Sequence, residues 1–255
     1  MKNLFSILVL AVVFASCQEV IEIELNDKDA AIVIEANITD QTGPYTVLIS
    51  KSVNFSDPNV FPGVSGAFVV IADDAGNADT LVETSAGVYI ASTIQGIPGR
   101  TYTIRVVAEG KTYTAQSTMP NAITLDSLVV EESAGFGGAY IIPQWQDPLG
   151  TGNYYRCIEY VNNERVGAFL YDDAFADGLV NGQPLLNFTT ELETGDTVLV
   201  EFHCIDAANY LYFYSMEQTA NNNTAAPANP ESNFDNGALG YFNAHTVSVR
   251  TVVIQ

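Results

Sequence analysis

Three aspartates crowd one short loop. The stretch YDDAFADGLVNG, residues 171–182, carries Asp172, Asp173 and Asp177. Dense carboxylates are what a hard cation such as Ca²⁺ takes as ligands. Asp173, Asp177 and Gly178 fall on positions 1, 5 and 6 of an EF-hand loop, but Phe175 and Pro184 occupy positions that need oxygen ligands. The loop is therefore no EF-hand. The three aspartates are candidates for a looser calcium site, with a solvated turn as the alternative, and no metal is assigned. Trp145, in PQWQDP, and the adjacent Tyr154 and Tyr155 are the candidates for stacking on a sugar or other ligand. A lone strand tryptophan is more often core than contact surface.

Recognised catalytic spacings do not occur. His203 and His245 have no HExxH and no ligand-spaced partner. GVSG at 63–66 lacks the spacing of a nucleophile elbow, and GFGG at 135–138 is followed by no lysine. Asp172, Asp173 or Glu191 could supply a glycosidase pair only if two carboxyls lie about 5–10 Å apart. No catalytic residue is assigned, and no cofactor beyond a covalent lipid.

The elements that must position these residues are strands. Period-two alternation dominates: AIVIEANI, YTVLIS, AFVVIAD, LVET, VYIAS, TYTIRVVAE and KTYTAQS follow one another, separated by turns such as DDAGN (73–77) and EGK (109–111). Such spacing suits an antiparallel sandwich of immunoglobulin type over residues 17–120. Tyr102 is placed either as a tyrosine corner or as an ordinary strand tyrosine. Met119-Pro120-Asn121 breaks the pattern, because proline cannot donate to a ladder. A second β-rich domain is expected over 121–255, with strands at ITLDSLVVEE, AYIIPQWQ, YYRCIEYV, RVGAFLYD, PLLNFTTEL, TVLVEFHCI and TVSVRTVVI. One helix is predicted near 207–220, with Asp206 as its cap. The fold class is mainly β: an amino-terminal immunoglobulin-like sandwich, then a second β-rich domain with one short helix.

The amino-terminus gives an address. Lys2 precedes a short apolar run, Leu4 to Ala15, too short to span a bilayer as a helix. Ala15 and Ser16 stand directly before Cys17. This resembles the bacterial lipoprotein signal, with residues 1–16 removed and Cys17 carrying the lipid; Phe14 stands where leucine is usual. Several acyl chains, palmitate among them, anchor stably where one does not. Glu19, Glu22 and Glu24 resemble an export tag to the outer face, or are the water-facing side of an edge strand, VIEIEL. A net charge of −21 argues against nucleic acid as a partner and against electrostatic attachment to anionic lipid. Cys157 and Cys204 are read as buried thiols or as a disulfide.

A family comes into view in the ordered set NPESNFDNGALGYFNA (229–244), GDTVLVEFHCIDAANYLYFYSMEQ (195–218), SGAFVVIADDAG (65–76) and PGRTYTIRVVAEGKTYTA (98–115). Together with the acid-rich start, it resembles the domain-of-unknown-function 4249 family. The resemblance implies an outer-membrane lipoprotein of Bacteroidetes, periplasmic or surface-exposed, that works beside a TonB-dependent transporter. It carries over one functional residue, Cys17. The expected function is a non-catalytic accessory lipoprotein that binds a transporter partner, a nutrient, or both. The alternatives are a surface adhesive or structural lipoprotein and an extracellular polymer-degrading hydrolase.

Overall fold

The computed structural model describes residues 30–54, 57–133, 138–187, 189–220 and 229–255. Cys17, the leader and VIEIEL lie outside the described residues. Fifteen strands and one helix are present among those described: β1 Ile32–Thr39, β2 Tyr45–Lys51, β3 Phe68–Asp73, β4 Ala78–Thr80, β5 Val82–Ser85, β6 Val88–Ala91, β7 Thr101–Ala108, β8 Lys111–Thr118, β9 Ser127–Ser133, β10 Gly138–Gln146, β11 Tyr154–Val161, β12 Glu164–Asp172, β13 Val180–Asn181, β14 Thr197–Ile205, α1 Ala207–Ala220 and β15 Leu239–Val253. They form an eight-stranded sheet in the order β12-β11-β14-β15-β1-β2-β6-β5, a four-stranded sheet β4-β3-β7-β8 and a three-stranded sheet β13-β10-β9. The fold is mainly β, as the alternation predicts, and no barrel closes among the described residues.

Two cores result. In β1 the alternation IVIEANIT turns Ile32, Ile34, Ala36 and Ile38 inward, and β2 does the same with Val47 and Ile49. They pack against Val69, Ile71, Ile104 and Val106 of the four-stranded sheet. Fully burying each such aliphatic side chain is worth roughly 1.5–3 kcal/mol. The second core places Val198, Val200 and Phe202 of β14 and Tyr155 and Cys157 of β11 against Ile141 and Trp145 of β10. Tyr102 is a corner residue: its hydroxyl accepts from Ile97 N–H at 2.7 Å and donates to Gln95 O at 3.1 Å. The hairpins at 73–77 and 109–111 form where the turn residues place them.

The carboxyl-terminal strand belongs to both cores. Leu239 to His245 run parallel to β1, and Thr246 to Val253 run antiparallel to β14. Phe234, Ala238, Phe242 and Ala244 pack in the first core, although they lie far beyond residue 120. The alternation starts this strand only at Thr246. It begins seven residues earlier because Gly240, at φ 92°, lets the backbone approach β1 where a side chain could not. PLLNFTTEL is corrected too. It contributes isolated bridges from Leu185 to Ile141 and from Leu192 to Ala139 instead of a strand. Cys157 and Cys204 are free and buried.

Helix α1 starts as the sequence predicts. Asp206 Oδ1 accepts from Asn209 N–H at 2.9 Å, the third residue of the helix. Its other oxygen accepts from the Ser117 hydroxyl at 2.6 Å and from Thr118 N–H at 3.1 Å, which ties the cap to β8.

Candidate functional site

The loops that leave β10 and β12 meet, and this places the predicted aspartates. Asp147 follows β10, and Asp173 and Asp177 follow β12. One carboxylate oxygen from each lies within 4.8 Å of the others, the single group of this kind among the described residues. Asp147 and Asp173 are buried; Asp177 is exposed. The sequence reading is corrected at one member. Asp172 faces away from this group, accepting from Ala174 N–H at 3.1 Å and from the Tyr210 hydroxyl at 3.1 Å. Asp147 takes its place, and sequence reasoning missed it. The available signal was a polar residue after the strand, ahead of Pro148, but nothing in linear spacing joins it to a loop some thirty residues on.

The three carboxylates are dressed by donors. Asp147 accepts from the Tyr155 hydroxyl and, at 3.0 Å, from Gly178 N–H. Asp173 accepts from Gly152 N–H at 3.1 Å and from both nitrogens of Asn153 at 3.0 Å. Asp177 accepts from Gly150 N–H at 2.7 Å. Burial alone would raise the Asp173 carboxyl, but the Asn153 and Gly152 donors outweigh it and hold it below the usual range. The buried Tyr155 hydroxyl is pushed well above its ordinary value, by burial first and by the Asp147 bond second. This arrangement staples loop 147–153 to loop 172–178. Its carboxylate oxygens are also the type of ligand a hard cation would take.

The aromatic candidates separate. Trp145 is fully buried, packed against Phe202 at 4.8 Å and Tyr155 at 5.2 Å between ring centroids. It offers no face to a sugar, and neither does Tyr155, which is also fully buried. Both are corrected to core. Alternation turns Tyr154 to the opposite face, where it is half-buried over Tyr210 at 4.7 Å. Tyr154, with Pro120, Asn121, Pro148 and Asn153, lines a hollow of about 390 Å³ where the linker passes between the cores.

Glu191 and Asp173 do not come together. Glu191 sits by Gly138, at the first residue of β10, and Asp173 groups with Asp147, past its last. A nine-residue strand separates them by roughly 25 Å, far beyond the spacing of a catalytic pair. Asp172 and Asp173 are neighbours whose side chains go to different partners.

A second concavity lies on the outer face of the large sheet. Val33, Leu48, Phe61, Val88 and Leu239 line a groove of about 530 Å³, with Glu35 at its side. Leu48 is 42% exposed, Phe61 57% and the adjacent Val60 71%. Such contiguous exposed apolar surface marks contact sites more often than scattered single residues do.

Among the described residues, no helix is long and apolar enough to cross a membrane. No curated protein matches the chain. Solved structures that resemble it include, each at 13% identity, a pullulanase complexed with maltotriose from Anoxybacillus sp. LM18-11 (67% of this chain, 24% of that one, TM-score 0.24) and the Yersinia pseudotuberculosis adhesin InvE (69% of this chain, 55% of that one, TM-score 0.20). The chain thus spans about a quarter and about half of their lengths. The family model described as domain of unknown function (DUF4249) matches residues 18–251, and the chain belongs to that family.

Proposed function

We propose that the protein is a non-catalytic accessory lipoprotein, anchored in the outer membrane through a lipid on Cys17. It binds a TonB-dependent transporter, and a nutrient in the same assembly. The observation that carries the partner reading is the apolar groove formed by Val33, Leu48, Phe61, Val88 and Leu239, open to solvent beside the exposed Val60. A net charge of −21 keeps the rest of the molecule soluble and repels other acidic surfaces. Apolar contact is then the attractive part of docking. The apolar run ending at Ala15-Ser16-Cys17 supports the anchor.

Affinity purification from native membranes tests this reading. An outer-membrane transporter is expected to travel with the wild-type chain and to be lost from a Leu48→Asp, Phe61→Asp double variant that keeps its circular dichroism. Recovery of the chain alone, or equal recovery of the transporter by both forms, overturns it. Radioactive palmitate is expected to label the wild type and not Cys17→Ala.

A further inference from the structure

The outer face of the large sheet beneath α1 carries polar groups that the fold leaves unsatisfied. Arg156 on β11 and His203 on β14 are cross-strand partners. His245 on β15 lies beside His203, with ring centroids 4.5 Å apart. Arg156 lays its guanidinium on the Phe213 ring of α1, with Cζ 3.8 Å from the centroid. That contact uses the flat face of the fork and leaves the in-plane N–H donors free. Among the described residues no carboxylate comes within ion-pair distance of Arg156, and no atom accepts a hydrogen bond from its side chain. Its side chain is half-buried, and burial pushes its pKa down. Next to it the buried Nδ1 of His203 has no partner, and further along the same face neither side-chain atom of Asn243 has one. Buried polar atoms are nearly always paired, by protein or by something bound.

We propose that this face binds a small molecule bearing an oxyanion, a carboxylate or a phosphate, received by the Arg156 fork and His203. A planar fork with free in-plane donors matches either group bidentately. Glu201 Oε2 holds Nε2 of His203 at 3.5 Å, so Nδ1 is the nitrogen left for the ligand. With Nε2–H given to Glu201, neutral His203 presents a lone pair at Nδ1. An oxyanion is therefore received there as His203 takes a proton from solvent, which then lies between Nδ1 and the ligand oxygen. Binding takes up a proton and tightens as pH falls. The other charged and titratable groups that face the cluster are Glu217 from α1, Asp40 after β1, Tyr160 on β11, Arg165 on β12 and Tyr241 on β15, and neither acid pairs with Arg156. A metal fits the geometry less well, because the two stacked imidazoles and Glu201 bring no three ligand atoms together.

The test follows the imidazole resonances of His203 and His245 by NMR in chloride buffer at constant ionic strength. Sodium phosphate and sodium acetate are added in separate titrations, at neutral and at mildly acidic pH. A saturable His203 shift, tighter at the lower pH, is expected with at least one salt. Response to phosphate alone assigns a phosphate ligand, and response to acetate alone a carboxylate. Arg156→Gln is expected to weaken binding about tenfold or more, the loss of one charged bidentate contact. Arg105→Gln, exposed on β7 of the four-stranded sheet, is expected to leave binding unchanged. Should Arg156→Gln lack native circular dichroism, Arg156→Lys keeps the charge without the fork and is also expected to bind more weakly. An unmoved His203 with both salts, as hydration alone would give, overturns the proposal. So does undiminished binding in the folded Arg156 variant.

Discussion

His203 and His245 stand on adjacent strands with their rings 4.5 Å apart and tilted by 37°. Both are buried. Burial, ahead of every other influence, lowers both pKa values, and for His245 the neighbouring His203 adds to it. Arg156 pushes both the same way, while Glu201 opposes it at His203. The pair is neutral in the folded protein at neutral pH.

An acid-side loss of stability follows. In the unfolded chain each histidine titrates near about 6.5. As pH falls through that value the unfolded state binds protons that the folded state refuses, so stability falls with pH. One refused proton is worth about 1.4 kcal/mol per pH unit. His245→Phe removes one such group. Its stability relative to wild type is expected to rise by about 1 kcal/mol from pH 6.5 to pH 5.5, read from urea midpoints. A difference that does not change across that interval contradicts the buried neutral pair.

Glu159 acts in the opposite direction. It is 2% exposed and points into the second core from β11, with Asn187 Nδ2 at 3.5 Å as its polar partner. Burial pushes its pKa up to about 7, against the weaker effect of Asn187. Here the folded state holds a proton that the unfolded state has lost. Stability is therefore present below about 4.5 and declines as pH rises through about 7. Glu159→Gln keeps the shape and cannot ionise. Relative to wild type it is expected to gain on the order of 3 kcal/mol between pH 5 and pH 8. Equal pH dependence of the two chemical-denaturation curves would show that the carboxyl finds a charge-stabilising partner.

Much of the first core was legible. Its strands alternate cleanly because one face of each meets the opposing sheet and the other meets water, so IVIEANIT and TYTIRVVA announce themselves. Tyr102 was half legible, since a corner tyrosine and a strand tyrosine look alike until the 2.7 Å bond to Ile97 N–H is seen. The site was less legible. Tyr154 and Tyr155 are consecutive, and alternation sends one to the surface and one to the core, yet the sequence does not say which. Asp147 meets Asp173, and Arg156 meets His203 and His245, through strand pairing and register, which are long-range properties. The strand at Leu239 was hidden by its own glycine, a residue that usually marks a turn.

That glycine gives the sharpest structural prediction. Gly240 pairs with Ile34 in the parallel register that ties β15 to β1. Its φ is 92°, and a Cβ there would lie 2.0 Å from Ile34 O and 2.8 Å from Ile34 C. Both obstacles are backbone, so no side chain can swing aside to relieve them. Gly237, in the preceding turn, has φ 79°, and a Cβ there would meet no heavy atom within 4 Å, so an alanine brings strain without collision. Gly237→Ala is expected to cost about 1 kcal/mol and Gly240→Ala about 3 kcal/mol or more, read as urea midpoints. Because β15 also completes the second core, the loss at Gly240 is expected to split the melt: the first core unfolds early while the β14–β15 pairing from Thr246 to Val253 persists. Equal costs for the two alanines, with a single shared transition, would place the join between the cores somewhere other than the Ile34–Gly240 contact.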